Sequence, residues 1–265
     1  MIEPIRQIFA ERGIVYADAI PFSEATVLIR RKIDQLPFVP QSVIIFAIPY
    51  YAGELPCRNL SRYAVAKDYH LFFQRFSEEI KTELQKLYPQ EFFVAFADNS
   101  PIDEREAAAK AGLGLRGMNK LLLTERYGSY VFLGEVLTSI PYREIGTLSS
   151  FAVHECEKCG LCLSACPKKE VCVSALTQKK GDLTQEEKEA IRSLGSVWGC
   201  DICQDVCPHS KNAEITPIDY FKVDLIERLT PEMLETMSDE VFCQRAYSWR
   251  GKKTILRNLS LFDKT

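Results

Sequence analysis

Eight of the ten cysteines fall between residues 156 and 207. Cys156, Cys159, Cys162 and Cys166 read C-x-x-C-x-x-C-x-x-x-C-P. In that spacing a tight loop aims three thiolates at one iron–sulfur cube and sends the fourth to another. Cys200, Cys203 and Cys207 repeat the run without its first cysteine, and Cys172, between the two groups, supplies the missing ligand. Pro167 and Pro208 follow the last cysteine of each run, where a fixed φ turns the chain away. By analogy with two-cluster ferredoxins, Cys156, Cys159, Cys162 and Cys207 are assigned to one [4Fe-4S] cluster, and Cys166, Cys172, Cys200 and Cys203 to the other. Zinc sites favour paired C-x-x-C units. Disulfides need an oxidising compartment, whereas the chain opens MIEPIRQIFAERG, with no basic-then-apolar signal segment. The expectation is a cytoplasmic redox protein in which Cys57 and Cys243 are ordinary thiols.

A chain of 265 residues is far longer than two clusters require, so most of it does something else. A hydrophobic content of 46% and an aromatic content of 11% suit a packed core. No apolar run approaches the roughly 20 residues of a membrane helix. The net charge of −3 argues against a broad nucleic-acid-binding surface but leaves room for a local basic face.

The elements that must position the chemistry follow from periodicity. Residues 2–12 read as a helix stopped by Gly13, GIVYADAI as a short strand, and SEATVLIRRKIDQL as a second helix ending before Pro37. SVIIFAIPYY is a continuous apolar, β-branched run, which predicts a strand buried on both faces. Residues 60–88 hold a long helix whose start, with Arg62, Tyr63, Asp68, Tyr69 and His70, is rich in ionisable groups; surface ion pairs and a buried tyrosine are the structural alternative there. FFVAFAD predicts a second buried strand with Asp98 at its end, before a turn and an alanine-rich helix over 102–111. That arrangement puts Asp98 at the mouth of an α/β sheet, where ligands usually bind; the competing role is an N-cap. Gly112, Gly114 and Gly117 close that helix, so they do not fit a dinucleotide fingerprint and predict a tight turn or a close approach to something bulky. YGSYVFLGEVLTSIPY predicts a long strand in which Gly134 marks a bulge or a flat ligand. LTQEEKEAIRSLG inserts a helix with Thr184 and Glu187 as a capping box, and short helices follow Pro217.

These features together resemble the epoxyqueuosine reductases, cobalamin-dependent enzymes that finish queuosine in the tRNA anticodon. The likeness rests on SVIIFAIPYY, SRYAVAKDYH, DNSPIDEREAAAKAGLGLRGMN, YGSYVFLGEVLT, CEKCGLCLSACP and GCDICQDVCP, which cover most of residues 40–210. It implies an α+β protein: an α/β cobalamin- and substrate-binding domain over 1–148, akin to reductive dehalogenases, a ferredoxin-like module with two [4Fe-4S] clusters over 149–215, and a helical segment over 216–265. It implies tRNA as partner, an external electron donor such as flavodoxin or ferredoxin, a monomer, and no membrane partner. By the same resemblance Asp98 is the acid that protonates the opening epoxide oxygen, a role that calls for a raised pKa. The implied cofactor contacts are Arg62, Tyr63, Tyr69 and His70, then Gly112, Gly114, Gly117 and Asn119, then Gly128, Ser129 and Gly134. Glu104 and Arg105 match an acid–arginine pair, expected to bond to each other beside the site.

Two departures bear on the substrate. The family has Gly-Lys-Asn where this sequence has Gly117-Met118-Asn119, and it continues into a HEAT-like helical extension beyond the point where this sequence stops. Arg250, Lys252, Lys253 and Arg257 offer a basic end that can meet phosphate. The competing expectations are a corrinoid reductase of a small molecule or of a partner's corrinoid, and a non-catalytic iron–sulfur electron carrier.

Overall fold

The computed structural model describes residues 2–168 and 170–262. Its centre is a four-stranded sheet built from β1 (Tyr16–Pro21), β2 (Ser42–Pro49), β3 (Phe93–Ala97) and β6 (Val131–Thr138) in the order β1-β2-β6-β3. A two-stranded hairpin, β4 (Leu115–Arg116) and β5 (Leu122–Leu123), stands apart. The domain expected as α/β is corrected in one respect: every pairing in the main sheet is antiparallel. As the apolar run predicts, β2 is central and buried at all eight positions. β3 is an edge strand instead, with only Phe93 buried, because nothing pairs with its outer side.

Helices cover both faces. On one, Ile5 and Phe9 of α1 (Glu3–Ala10) and Phe76, Ile80 and Leu84 of α3 (Tyr69–Leu87) pack on Ile44, Phe46 and Val136. On the other, Ala107, Ala108 and Ala109 of α4 (Glu104–Lys110) let the helix lie close over Val43, Ile45 and Leu137. The second predicted helix shrinks to α2 (Arg30–Asp34), since Leu28 and Ile29 give their amides to the Pro101 carbonyl instead of to a helix. The helix expected from residue 60 begins at Tyr69; before it, Leu60 pairs with Trp198 and Arg62–Ala64 form a 3-10 turn. Gly134 makes no bulge: its register with Phe46 and Ala97 is regular, and a Cβ there would lie 2.6 Å from the Phe46 ring. The flat group packed on that glycine is the protein's own phenylalanine, a closeness only glycine permits.

After α5 (Tyr142–Ile145) come the short helices α6 (Leu161–Ala165), α7 (Val173–Thr177), α8 (Gln185–Leu194) and α9 (Ile202–Asp205). α8 carries the predicted capping box. α10 (Pro231–Thr236), α11 (Asp239–Cys243) and α12 (Lys252–Leu259) finish the described chain. Apolar cores run across the three expected segments: Trp198 packs among Leu60, Ala64, Tyr247 and Ile255, while Ile218 and Phe221 join the core under the sheet. Charges join them too. Arg58 reaches Asp201 at 2.6 Å and Asp205 at 2.7 Å, and Tyr130 donates its hydroxyl to Asp205 at 2.9 Å. Burial pushes Asp201 up to about 6, against the pull of Arg58. Among the described residues no helix is long and apolar enough to cross a membrane.

Candidate functional site

Asp98 leaves β3 with φ of 58°, a left-handed conformation that aspartate tolerates better than most residues. It does not cap α4: that cap is Asp103, which accepts the Glu106 amide at 3.1 Å. The start of α3 faces it. Asp68, the N-cap of α3, accepts the His70 amide at 3.0 Å and holds His70 Nδ1 at 2.8 Å; His70 Nε2 lies 3.2 Å from Asp98 Oδ2. Each ring nitrogen thus meets a carboxylate oxygen, which only the imidazolium, with two N–H donors, satisfies fully. Hydrogen bonds to Asp68 and Asp98 push His70 up to about 9. Asp98 moves the opposite way, its carboxyl lowered by the His70 and Tyr69 hydrogen bonds. The expected raised pKa at Asp98 is therefore corrected: with a cation and a phenol bonded to it, the carboxylate form is favoured, and the proton sits on His70.

Tyr69 stacks on Phe132 with ring centroids 4.1 Å apart, and burial raises its phenol well above the usual range. These rings floor an open cavity of about 850 Å³ that is also lined by Tyr63, Asp68, His70, Ala97, Asp98, Asn99, Gln178, Ala246 and Trp249. Trp249 is 57% exposed and lies under the Arg250 guanidinium, 3.8 Å from its ring centre. A smaller cavity of about 150 Å³ continues past Tyr69 and Asp98 to Glu104, Arg105, Ser129 and Phe132. Glu104 and Arg105 do not pair as expected: the arginine turns to Asp103 at 3.9 Å, and Glu104 Oε2 is buried without a hydrogen-bond partner. The planar apolar floor, polar rim and exposed tryptophan suit a broad ligand with a flat face, as a corrin has.

The thiols form a second centre. Cys156, Cys159, Cys162 and Cys207 surround a cavity of about 410 Å³ together with Gly117, Met118 and Asn119. The Cys156 amide is anchored on the Arg116 carbonyl at 3.1 Å, and Asn119 donates its side-chain amide to the Cys203 carbonyl at 3.4 Å. Burial raises the Cys207 thiol, with Cys162 and Cys156 adding repulsion; it pushes Cys200 up to about 11 and Cys203 to about 12, with Cys172 and Cys166 among the repelling neighbours. Cys162 also repels Cys203, so the two expected sets lie close together. All eight are free cysteines, and among the described residues no three ligand side chains converge as on a single ion. Soft sulfur donors ringing a volume fit iron–sulfur clusters.

The remaining expected contacts do other work. Arg62 is buried and bonds to Asp205 at 3.0 Å and Glu54 at 3.2 Å, with Tyr51 and Tyr130 under its guanidinium, so it is turned away from the aromatic cavity. Gly112 ends α4, and Gly114 lies against the Leu123 carbonyl. Gly117 and Asn119 face the thiols, as does Met118. Gly128 abuts Ser210, and Ser129 donates its hydroxyl to Gln204 at 3.0 Å. Asp68, noted in the sequence as one ionisable group of the helix start, is its N-cap; Phe132, Gln178 and Trp249, which the sequence reading did not single out, reach the cavity by tertiary folding alone.

A cysteine-rich segment docked on an antiparallel sheet, with an acid–histidine pair at an aromatic cavity, defines a redox enzyme class. A family model described as "Epoxyqueuosine reductase QueG, DUF1730" matches residues 30–99. An epoxyqueuosine reductase of Listeria monocytogenes is 30% identical over 280 residues, covering 95% of this chain and 72% of that protein. One of Lactococcus garvieae is 32% identical over 219 residues, covering 76% of this chain but 60% of its own length. The solved structure of an epoxyqueuosine reductase with a tRNA-Tyr epoxyqueuosine-modified stem loop shares the fold, with a TM-score of 0.77 and 24% identity over 98% of this chain and 79% of that one. The chain belongs to the epoxyqueuosine reductase family.

Proposed function

We propose that this chain reduces epoxyqueuosine to queuosine in a tRNA anticodon, with cobalamin in the aromatic cavity of a reductive-dehalogenase-like domain and two [4Fe-4S] clusters in a ferredoxin-like module. The observation that carries this reading is the hydrogen bond from Ser129, on the cavity beside Asp98, to Gln204, which stands between Cys203 and Cys207: it ties a wall of the acid-site cavity to the cysteine segment. When bound, cobalamin supplies a cobalt that can be reduced to a carbon-attacking state, and clusters supply electrons singly. Cys156, Cys159, Cys162 and Cys207 would hold one cluster and Cys166, Cys172, Cys200 and Cys203 the other. Tyr63, Tyr69, Phe132 and Trp249 would border the corrin. Asp98 would orient His70, and the pair would give a proton to the epoxide oxygen as its carbon bond breaks.

The basic end contributes less than its charge suggests. Arg257 donates to the Lys179 and Gly181 carbonyls and Lys252 to the Met237 carbonyl. Arg250 on Trp249 instead offers the cavity rim a stacking face and a cation, which suit a nucleobase and its phosphate. A soluble one-electron donor such as flavodoxin or ferredoxin, a monomeric state and a cytoplasmic location complete the proposal. The test is anaerobic loading with iron, sulfide and cobalamin, followed by an epoxyqueuosine-containing stem loop and a strong reductant. Queuosine detected by mass spectrometry is the expected result; its absence beside an active family member overturns the assignment.

A further inference from the structure

Two buried acids stand outside the Asp68–His70–Asp98 chain. Glu135 on β6, opposite Ile45 and Phe96, is 0% exposed, and among the described residues neither of its oxygens has a hydrogen-bond partner of good geometry. The nearby Ser100 hydroxyl is directed to the Ile102 carbonyl at 3.0 Å. Glu104, in the first turn of α4, keeps its own unpartnered oxygen between the small cavity it shares with Asp98 and Tyr69 and a shallow pocket of about 180 Å³ lined by Asp98, Ser100, Asp103 and Arg105. The charges facing Glu104 are Asp98, Arg105 and Asp103; those facing Glu135 are Glu104 and Lys32, whose ammonium is bonded to the Asn99 carbonyl. Burial pushes each acid up to about 8, with like charge adding to it: Asp98 at Glu104, and Glu104 at Glu135. Both are carboxylic acids near neutral pH.

Removal of an epoxide oxygen as water balances only as epoxide plus two electrons plus two protons giving alkene plus water. A one-electron reductant of the flavodoxin or dithionite class supplies the electrons in two steps. The His70–Asp98 pair holds one proton, so a second donor is required. We propose that Glu104 gives the second proton, to the oxygen as it departs from carbon. The Glu104 O–H bond breaks, the departing oxygen keeps the electron pair of its former carbon bond and becomes water, and Glu104 is left as a carboxylate that solvent refills through the shallow pocket.

This rests on the reductase reading, and the experiment separates the two. The loaded wild type, Glu104→Gln and Glu104→Asp are compared on the epoxyqueuosine stem loop from about pH 6 to 9, with iron content confirming folded protein. The wild-type rate is expected to fall above about pH 8. Glu104→Gln is expected to lose at least about tenfold at neutral pH together with the limb near pH 8, leaving the decline near pH 9 that His70 gives, while Glu104→Asp keeps the limb near pH 8. A Gln variant that retains the limb, at whatever rate, overturns the proposal and leaves Glu104 a packing role. Infrared titration of the unloaded protein adds a readout independent of turnover: a protonated-carboxyl band that titrates near pH 8 and shrinks in Glu104→Gln is expected. If the wild type forms no queuosine, the reductase reading fails; if the band is absent, this proposal fails whatever the turnover.

Discussion

The sheet and the cysteine segment are built on opposite principles. Every residue of β2 is buried, and helices seal both faces of the sheet. From Gly146 to Cys172, by contrast, no described residue is buried, and α6 buries none of its five. The second region's own apolar cluster has four buried members, Val173, Leu176, Leu183 and Ile191. Hydrophobic burial suffices to define the first region. On the proposed function the second is held by ligation of its thiols, as small domains without a core commonly are.

Removing metal therefore tests the contrast with the largest effect. Chelating iron from loaded protein is expected to speed amide exchange across 146–172 by about a thousandfold or more, while β2 and β6 change by less than about tenfold. Equal loss in both regions would show one folding unit. Next comes the seam. Arg58→Ala leaves the buried Asp201 carboxyl without its nearest cation, and a loss of about 3 kcal/mol in urea unfolding is expected; a loss below about 1 kcal/mol would make the seam incidental. Within the sheet, Glu135 is the exception to apolar burial. Its folded pKa is raised from the ordinary 4.5 to about 8, so its contribution is fully present below pH 4.5 and is lost as pH rises through 8. Glu135→Gln should flatten that decline by about 2–4 kcal/mol between those limits, as read by unfolding at a series of pH values. An unchanged slope would place the titration elsewhere. The smallest effect belongs to the capping box of α8: Thr184→Ala is expected to cost about 1 kcal/mol and to leave the sheet untouched by amide exchange.

What could be read from the sequence follows the same divide. The run VIIFAI announces β2 because a strand covered on both faces has no polar positions. The cysteine spacing suggests the proposed ligand sets by analogy with two-cluster ferredoxins, each set joining cysteines of both runs. The direction of the strands was not legible, since antiparallel pairing through β6 depends on a partner far along the chain. Periodicity over 23–36 suggested a helix where the backbone instead bonds Pro101, a tertiary override of local propensity. At the site, Asp98 and His70 stood out by type, yet their charge states turn on a contact between residues 28 positions apart in the chain. Glu135 looked like one more position in an apolar strand pattern, and only its full burial without a well-placed partner among the described residues marks it.

The division of labour between the two regions is tested most directly at Asp98. Wild type and Asp98→Asn, loaded side by side, are compared for iron content, corrin absorption and queuosine formed on the epoxyqueuosine stem loop under a strong reductant. Equal iron and corrin spectra with queuosine formation reduced at least about hundredfold are expected, because the proposed function puts the acid site in the sheet region and the electron supply in the other. Queuosine formed by Asp98→Asn at the wild-type rate would contradict it.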